Sequence, residues 1–245
     1  MAAAKRLVLI TGATNGIGLE LAAQLAAKGS YHVLMGARSL EKGNTALQSL
    51  ESRNLAGPID LLHLDVTVDE TIERAAATVQ QKFGRLDILV NNAAISAMKP
   101  PLREQMQDAF NTNATGPAVV TAAFGPLLRG SKHGPRIVNI SSGAGSIVRR
   151  LDTSSPLYKL QEVQYRASKT ALNMVTACQW VEYGPDIKVF AYDPGFTQSN
   201  LGPHNTAENG ARLASESVMP LIDLLEGKRD EEAGQLLHNT GVYPW

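Results

Sequence analysis

Short apolar runs alternate with longer, more polar stretches along the whole chain. The runs are RLVLIT (6–11), YHVLMG (31–36), IDLLHL (59–64), LDILVN (86–91), RIVNIS (136–141), IKVFAY (187–192) and GQLLHN (234–239). Most of them are rich in valine, isoleucine and leucine without strict alternation, which is typical of strands that are buried on both faces. This alternation predicts a single-domain α/β fold over 1–245, a doubly wound parallel β-sheet with helices on both faces.

Two of the polar stretches have clear helix boundaries. The segment 18–29 has leucines at helical spacing and ends at Gly29, where a helix stop belongs. The segment 69–84 begins with Asp69, which we expect to be the N-cap. It ends with Gly84, a residue type that often terminates helices.

Two other segments, about 143–160 and 196–210, lack clear periodicity. Long irregular segments in compact domains are often functional. We therefore predict that both segments form loops beside a substrate.

Composition narrows the class of protein. Of the 245 residues 44% are hydrophobic and 19% are charged, and the net charge is zero, so we expect a globular protein that binds neither nucleic acid nor an anionic membrane. No apolar run approaches the ~18 residues of a membrane span, and MAAAKRLVLI has too few apolar residues for a secretory signal. The lone Cys178 fits a reducing compartment, so we expect a cytoplasmic location. No cluster of ligand residues has metal-binding spacing, so we expect no metal.

The first predicted strand leads into the glycine-rich stretch ITGATNGIGLE (10–20). Gly12, Gly16 and Gly18 permit a tight turn and a close approach of a pyrophosphate to the backbone, and the start of the next helix offers free N–H groups. The spacing G-x-x-x-G-x-G differs from the commoner G-x-G-x-x-G, and a tight turn without a ligand is the alternative. The position between the first strand and a helix favours a dinucleotide phosphate site.

The end of the second run indicates which dinucleotide to expect. It reads LMGARSLEKG, with no acidic residue at the strand end and Arg38 after Ala37. An acidic residue here usually holds the adenosine ribose of NAD, whereas an arginine accommodates the 2′-phosphate of NADP. A guanidinium can bind a phosphate through two hydrogen bonds. The sequence therefore favours NADP(H), with a solvated surface charge as the alternative interpretation of Arg38.

Candidate catalytic residues follow in the second half of the chain. Tyr165 and Lys169, in YRASK, are four residues apart and would share one face of a helix. The pKa of a free tyrosine is near 10, and a nearby cation lowers it by stabilising the phenolate. Alone, such a pair is common on helix surfaces. RIVNISS also ends a predicted strand with Ser141 and Ser142, where a hydroxyl could bind a substrate carbonyl, and NTNATG places Asn113 in a helical stretch.

Together with LDILVNNAA (86–94) and DPGFTQS (193–199), these motifs resemble those of the short-chain dehydrogenase/reductase superfamily, in the same order. The resemblance runs from Thr11 to Ser199 and joins at least six motifs. It implies a Rossmann-type fold and an NADP(H)-dependent oxidoreductase of carbonyl-reductase type, which reduces a ketone or aldehyde to an alcohol or runs in reverse.

The resemblance also implies a catalytic tetrad of Asn113, Ser142, Tyr165 and Lys169. Tyr165 would be the general acid/base, and Ser142 would orient the carbonyl. Ser142 is preferred to Ser141 because the second serine of the family's NISS is usually the catalytic one. Lys169 would hold the nicotinamide ribose and lower the tyrosine pKa, and Asn113 would hold a water that links Lys169 to solvent.

Cofactor contacts follow from the same resemblance. Asp65 and Val66 match a pair that contacts adenine, and Asn91 and Ala93 match the backbone over the adenosine ribose. The expected cofactor residues are Gly12, Thr14, Asn15, Gly16, Ile17, Gly18, Arg38, Asp65, Val66, Asn91, Ala93, Tyr165, Lys169, Pro194, Thr197 and Ser199.

Three departures from the family pattern stand out. Ala94 replaces the glycine of NNAG. The family's PGxVxT appears as PGFTQS, with Thr197 and Ser199 at positions that would contact the nicotinamide carboxamide. Ser142 and Tyr165 are farther apart than in most short members. The extra residues could select the substrate, hinder a helix that commonly packs against a partner subunit, or be a neutral surface insertion.

Three classes of function therefore compete. The leading one is the NADPH-dependent reductase. The alternatives are a non-catalytic NADP(H)-binding regulator and a non-redox lyase or isomerase on the same fold. Steroid, polyketide, sugar and xenobiotic carbonyls all remain open as small-molecule substrates, and a homodimer or homotetramer is the common assembly in the family.

Overall fold

One sheet of eight strands runs through the part of the chain that the structure, a computed structural model, describes: residues 4–98, 101–155, 158–159 and 161–245. The strands are β1 (Arg6–Thr11), β2 (Tyr31–Ala37), β3 (Ile59–His63), β4 (Ile88–Asn91), β5 (Arg136–Ile140), β6 (Lys188–Asp193), β7 (Leu236–His238) and β8 (Gly241–Tyr243). Their order across the sheet is β3-β2-β1-β4-β5-β6-β7-β8. All neighbouring pairs are parallel except β7 and β8, which are antiparallel.

Helices cover both faces of this sheet, as the sequence predicts. They are α1 (Gly16–Ala27), α2 (Leu40–Glu51), α3 (Asp69–Phe83), α4 (Leu102–Phe110), α5 (Gly116–Arg129), α6 (Ile147–Leu151), α7 (Val163–Tyr183) and α8 (Ala214–Leu225). Leu25 of α1 and Leu221 of α8 belong to one buried apolar cluster, whereas Ile72 of α3 and Phe124 of α5 belong to another. The predicted Rossmann-type fold is confirmed.

Each of the seven predicted runs contains a strand, but the eighth strand was not predicted. β8 has three residues and pairs with β7 through a two-residue connection, 239–240. A strand this short leaves almost no periodicity in the sequence, and its Asn-Thr connection is not one of the strong hairpin signals.

Helix ends follow the glycines, with one correction. Gly29 and Gly84 adopt left-handed φ values of +71° and +66°, and Gly84 is the C-cap of α3. Asp69 is not the N-cap: Val68 holds that position, with extended backbone, and Asp69 is the first helical residue. The carboxylate at 69 still favours this helix because it lies near the positive end of the helix dipole.

The order of the strands creates a crevice at the carboxyl edge of the sheet. The chain runs outward from β1 through β2 to β3 and then returns to place β4 on the other side of β1. In such sheets ligands bind where the strand order reverses. The expected glycine turn follows β1, so it lies at this reversal. No helix among the described residues is long and apolar enough to cross a bilayer.

Candidate active site

The glycine turn after β1 is packed too closely to accept side chains. Gly12 has a φ of +65°, and a Cβ on it would lie 2.8 Å from the Cα of Ala93. A Cβ on Gly18 would lie 2.6 Å from Asn92 Nδ2, and one on Gly16 would lie 3.0 Å from Ser199 Cβ. Each glycine is therefore required by the turn itself or by a neighbouring segment.

The start of α1 offers free donors above this turn. Asn15, the N-cap, makes no side-chain hydrogen bond to the helix, so the first N–H groups of α1 are available to a ligand. A helix N-terminus with bare glycine backbone beside it fits a pyrophosphate. Thr14 and Ile17 lie half-buried on the same turn. These residues fit the dinucleotide role that the sequence predicts for them.

Thr11 and Asn92 join the ends of β1 and β4, and neither was among the predicted site residues. The Thr11 hydroxyl accepts hydrogen bonds from the backbone amides of Asn92 and Ala93, at 2.9 and 3.0 Å. Asn92 Nδ2 donates to the carbonyls of Thr11 and Gly12. These hydrogen bonds fix the distance between the segments that follow β1 and β4. By contrast, the Asn91 side chain is buried and donates to Thr121 and Asn139, so only the Asn91 backbone can face a cofactor.

The adenosine end of the predicted site is more open. Arg38 is exposed directly after β2, and its carbonyl lies 3.2 Å from His63 Nε2. The Asp65 carboxylate accepts hydrogen bonds from the amide and hydroxyl of Thr67. Val66 is buried against Gly116, where a Cβ would lie 2.8 Å from the Val66 carbonyl oxygen. The guanidinium of Arg38 is free to reach a phosphate beyond the strand end.

Tyr165 and Ser142 meet across the gap between α7 and β5. The Ser142 hydroxyl lies next to the Tyr165 phenol, and its interaction with the phenol lowers the pKa of Tyr165. Burial outweighs it, however, and the charge of Asp193 acts with burial, so the pKa of Tyr165 lies above its ordinary value. The neighbouring Ser141 is turned away, because its hydroxyl donates to Asn173 Oδ1 in the core. The structure thus brings Ser142, and not Ser141, to the tyrosine.

Lys169 lies one helical turn beyond Tyr165 and is fully buried. Its Nζ donates a 2.7 Å hydrogen bond to the Ile140 carbonyl and lies 5.7 Å from the centre of the Tyr165 ring. Burial lowers the pKa of Lys169 to about 8, against the opposing effect of Asp193. The expected lowering of the tyrosine pKa is absent from the protein alone, since the pKa of Tyr165 is raised.

Asn113 lies in a five-residue π-helical turn, Asn111–Thr115, between α4 and α5. Its amide closes a ring with the backbone of Ile95, accepting from the Ile95 N–H and donating to the Ile95 carbonyl, both at 2.9 Å. Nδ2 also donates to Ser168 Oγ at 3.0 Å. The Asn113 side chain therefore positions the segment after β4, and a water held by this residue would need its backbone. Its water-binding role stays a prediction.

The turn after β6 brings the last predicted cofactor residues to the crevice. The Thr197 hydroxyl bonds to Ser217 Oγ at 2.8 Å, and Ser199 packs against Gly16. The Pro194 carbonyl accepts a 2.6 Å hydrogen bond from Arg212. These contacts hold the turn after β6 against the start of α1.

Asp193 is a site residue that the sequence analysis missed. Its carboxylate is buried and accepts hydrogen bonds from the backbone amides of Gly143, at 2.9 Å, and Gly195, at 2.8 Å. Its sequence signal was an acidic residue at the end of a buried strand, where a carboxylate needs a partner. Among the described residues no group of three or more His, Cys, Asp or Glu could hold a metal ion.

Comparison with known proteins identifies the class of this fold and site. A family model described as short chain dehydrogenase matches residues 6–210. The chain therefore belongs to the short-chain dehydrogenase/reductase family, whose members are oxidoreductases that use a nicotinamide cofactor.

Individual relatives cover nearly the whole chain. It is 41% identical to the short-chain dehydrogenase anuI of Penicillium roqueforti (strain FM164), over 98% of this chain and 97% of that protein. It is 30% identical to the (-)-isopiperitenone reductase of Mentha piperita, over 90% of this chain and 94% of that protein. A crystal structure of NADPH-bound carbonyl reductase from chicken fatty liver superposes with a TM-score of 0.83 at 30% identity, over 99% of this chain and 100% of that chain.

Proposed function

We propose that this protein is an NADPH-dependent reductase that converts a ketone or aldehyde into an alcohol, or runs in the reverse direction. The observation that carries the proposal is that Ser142 lies next to the Tyr165 phenol, while the buried ammonium of Lys169 lies 5.7 Å from the centre of the Tyr165 ring. This group lies at the same edge of the sheet as the glycine turn. The NADPH found in the chicken carbonyl reductase supports the choice of cofactor.

Ser142, Tyr165 and Lys169 each have a different role in carbonyl reduction. The bound nicotinamide supplies the hydride that adds to the carbonyl carbon. Ser142 binds the carbonyl oxygen through its hydroxyl, and Tyr165 gives its phenolic proton to that oxygen. The ammonium of Lys169 stabilises the phenolate that remains, because a nearby cation favours the charged form. In the reverse direction the phenolate of Tyr165 takes the alcohol proton.

The raised pKa of Tyr165 suits the reducing direction. A phenol that keeps its proton at neutral pH is in the correct state to act as an acid. Oxidation needs the phenolate, which the positive charge of an oxidised nicotinamide would favour together with Lys169.

We assign the preference for NADPH over NADH to Arg38. Its exposed guanidinium follows the second strand, where no carboxylate is present to repel a 2′-phosphate. The segments 143–160, of which 156–157 and 160 lie outside the described residues, and 196–210 are assigned to substrate binding. A cytoplasmic location is also part of the proposal, and the lone, exposed Cys178 supports it.

A homodimer is also part of the proposal. The outer face of α7 exposes Met174, Val181 and Cys178, with Met174 66% and Val181 81% exposed. Apolar side chains in such a row on one helix favour association. Light scattering should give about twice the 26.2 kDa chain mass, and Val181→Lys should shift the protein toward the monomer.

The first experiment measures NADPH consumption across ketones, quinones and aldehydes, with Tyr165→Phe as the test variant. We expect kcat to fall by about 10²–10⁴-fold, while the Kd for NADPH stays unchanged. Tyr183→Phe, at the far end of the same helix, is the matched control and should keep full activity. Full activity in Tyr165→Phe would refute the assigned acid. Tight NADPH binding without turnover on the whole panel would instead favour the regulator or the lyase.

A further inference from the structure

Arg149, on the short helix α6, lies directly against Gly143, in the loop after β5 that carries Ser142. A Cβ built on Gly143 would overlap a guanidinium nitrogen of Arg149, and it would lie 2.9 Å from the Tyr243 ring and 3.0 Å from a carboxylate oxygen of Asp193. Gly143 follows Ser142, whose hydroxyl lies next to the Tyr165 phenol. The guanidinium therefore occupies the space that a side chain next to the catalytic serine would fill.

A stack of rings holds this guanidinium in place. Its central carbon lies 3.8 Å from the centre of the Tyr243 ring, a cation–π contact. The His238 ring stacks on Tyr243 with a centroid distance of 4.1 Å and an interplanar angle of 19°. Two groups so close to one ring centre cannot share a face, so Tyr243 lies between Arg149 and His238. Burial lowers the pKa of His238, so this ring stays neutral at neutral pH.

The segment that carries Tyr243 is itself anchored beside α6. Ser146, the N-cap of α6, donates a 2.6 Å hydrogen bond to the Pro244 carbonyl. The β7–β8 pair holds the other end of the segment. The end of the chain thus forms a wall next to Ser142, and this wall presents the guanidinium.

No acceptor among the described residues bonds to the Arg149 guanidinium, although other arginines nearby are engaged. Arg150 donates to the Tyr158 carbonyl, and Arg212 donates to the Pro194 carbonyl. Arg149 is half-buried, so its side chain is ordered by the stack while its donors stay open to a ligand. A guanidinium prefers planar oxygen acceptors that it can bind through two parallel hydrogen bonds.

Charged groups of both signs surround Arg149. Burial lowers the pKa of Arg166, and the positive charges of Arg150 and Arg149 lower it further, while Glu162 opposes them. The carboxylates of Asp193 and Asp152 also lie near Arg149. Because no hydrogen bond joins the Arg149 guanidinium to the described residues, its donors are available to an anionic oxygen.

We infer that Arg149 determines substrate specificity by binding an anionic oxygen group of the substrate, a carboxylate or an acidic enolate, close to the carbonyl that Ser142 and Tyr165 hold. This inference rests on the proposed reductase function. It names the class of substrate as carbonyl compounds that carry a second, negatively charged oxygen group.

The test uses pairs of substrates that differ only in this charge. The probes are 2-, 3- and 4-carboxybenzaldehyde and their methyl esters, reduced by the full chain with NADPH. The wild type should favour at least one acid over its ester. Arg149→Met should raise the KM for that acid by about tenfold to a hundredfold, the range expected for a charge-assisted hydrogen bond. The kcat for the acid and both constants for the ester should stay near wild type.

Matched variants separate binding from mere packing. Arg150→Met removes a guanidinium of equal charge that already donates to the Tyr158 carbonyl. This variant should preserve the preference for the acid. Tyr243→Phe keeps the ring and should also preserve it, whereas Tyr243→Leu removes the platform and should weaken it. Equal losses for acid and ester in Arg149→Met would show that Arg149 only supports the wall, and would overturn the inference.

A binding measurement keeps the two proposals distinguishable. Benzoate and benzamide are titrated calorimetrically into the protein in the presence of NADPH. Benzoate should bind more tightly than benzamide, and this difference should vanish in Arg149→Met. If none of these aldehydes is reduced, the panel of ketones, quinones and aldehydes tests the reductase proposal, and the benzoate result still decides the role of Arg149. No benzoate preference in the wild type, or one that survives in Arg149→Met, would overturn the inference.

Discussion

The buried carboxylate of Asp193 accepts a 2.9 Å hydrogen bond from the backbone amide of Gly143, the residue that follows Ser142. Its second oxygen binds the Gly195 amide, at the start of the turn that carries Thr197. The Asp193 side chain, at the end of β6, therefore fixes the loop that carries Ser142 relative to the turn that carries Thr197. The same charge raises the pKa values of Tyr165 and Lys169.

Asp193→Asn should therefore change both the rate and its pH dependence. An amide cannot accept from both backbone N–H groups without turning its own NH₂ toward one of them, so kcat/KM should fall by about tenfold or more. Loss of the negative charge lowers the pKa of Tyr165. Because reduction needs the protonated phenol, the alkaline decline of activity should move to lower pH.

A pH–rate profile of the reduction checks this prediction. Other titratable groups near Asp193, including Lys169 on α7, His238 on β7 and Arg149 on α6, are unchanged in the variant. Asp60→Asn, on the edge strand β3, is the control and should leave the profile in place. An alkaline limb that stays put in Asp193→Asn would contradict the electrostatic role.

The two adjacent serines should have opposite effects. Ser142→Ala should lower kcat by about 10²–10³-fold, the cost of one donor to a developing oxyanion. It also removes the interaction of Ser142 that lowers the pKa of Tyr165, so the alkaline limb should move to higher pH, opposite to the shift in Asp193→Asn.

Ser141→Ala should instead affect stability. Its hydroxyl is buried and bonds to Asn173, so the free energy of unfolding should fall by about 1–3 kcal/mol with kcat preserved. Denaturant unfolding and steady-state kinetics on both variants separate the two cases. The assignment of Ser142 fails if Ser141→Ala abolishes turnover and Ser142→Ala does not.

Arg38→Asp should shift the cofactor preference from NADPH toward NADH. The carboxylate repels the 2′-phosphate and can bind the ribose hydroxyl of NADH. We expect the KM for NADPH to rise by about tenfold to a hundredfold. Lys132→Asp, exposed at the opposite edge of the sheet before β5, applies the same charge change far from the site. If the preference for NADPH over NADH stayed unchanged in Arg38→Asp, as we expect for Lys132→Asp, Arg38 would not be the residue that binds the 2′-phosphate.

Gly12→Ala and Gly84→Ala separate backbone strain from crowding at the cofactor turn. Both positions have nearly the same φ, +65° and +66°, but only Gly12 has a close neighbour, the Ala93 Cα at 2.8 Å. Each change should cost about 1–2 kcal/mol of unfolding free energy from the left-handed backbone. Gly12→Ala should lose more, and it alone should weaken NADPH binding, measured by fluorescence titration.

If Gly12→Ala bound NADPH like the wild type, the turn after β1 would not be the phosphate site. The prediction depends on the comparison of the two alanine variants, because either one alone would mix strain with loss of a contact.

Much of the fold was predictable because buried parallel strands leave continuous apolar runs. The seven runs fixed the order of elements, and Gly84 marked the end of α3 correctly. The N-cap at Val68 was missed because a valine carries no capping side chain, and an aspartate stood beside it. β8 was missed because three residues cannot establish a period.

The site was predictable where residues lie close in sequence. Tyr165 and Lys169 lie one turn apart on the same helix, and Ser142 closely follows the end of a strand. Asp193, Thr11 and the Arg149–Tyr243 contact depend on tertiary packing between distant segments, which no local pattern records. The lowered pKa of Tyr165 was expected from the positive charges of Lys169 and an oxidised nicotinamide, and the burial that raises it is a property of the folded site.

The stack of Arg149 on Tyr243 separates two proposed tasks along the chain. The family model matches residues 6–210, whereas Tyr243 lies on β8, beyond that region. The residues proposed for proton transfer therefore lie inside the matched region, and the ring that supports Arg149 lies outside it. We expect changes on the last strand to alter substrate preference while Ser142, Tyr165 and Lys169 keep their positions.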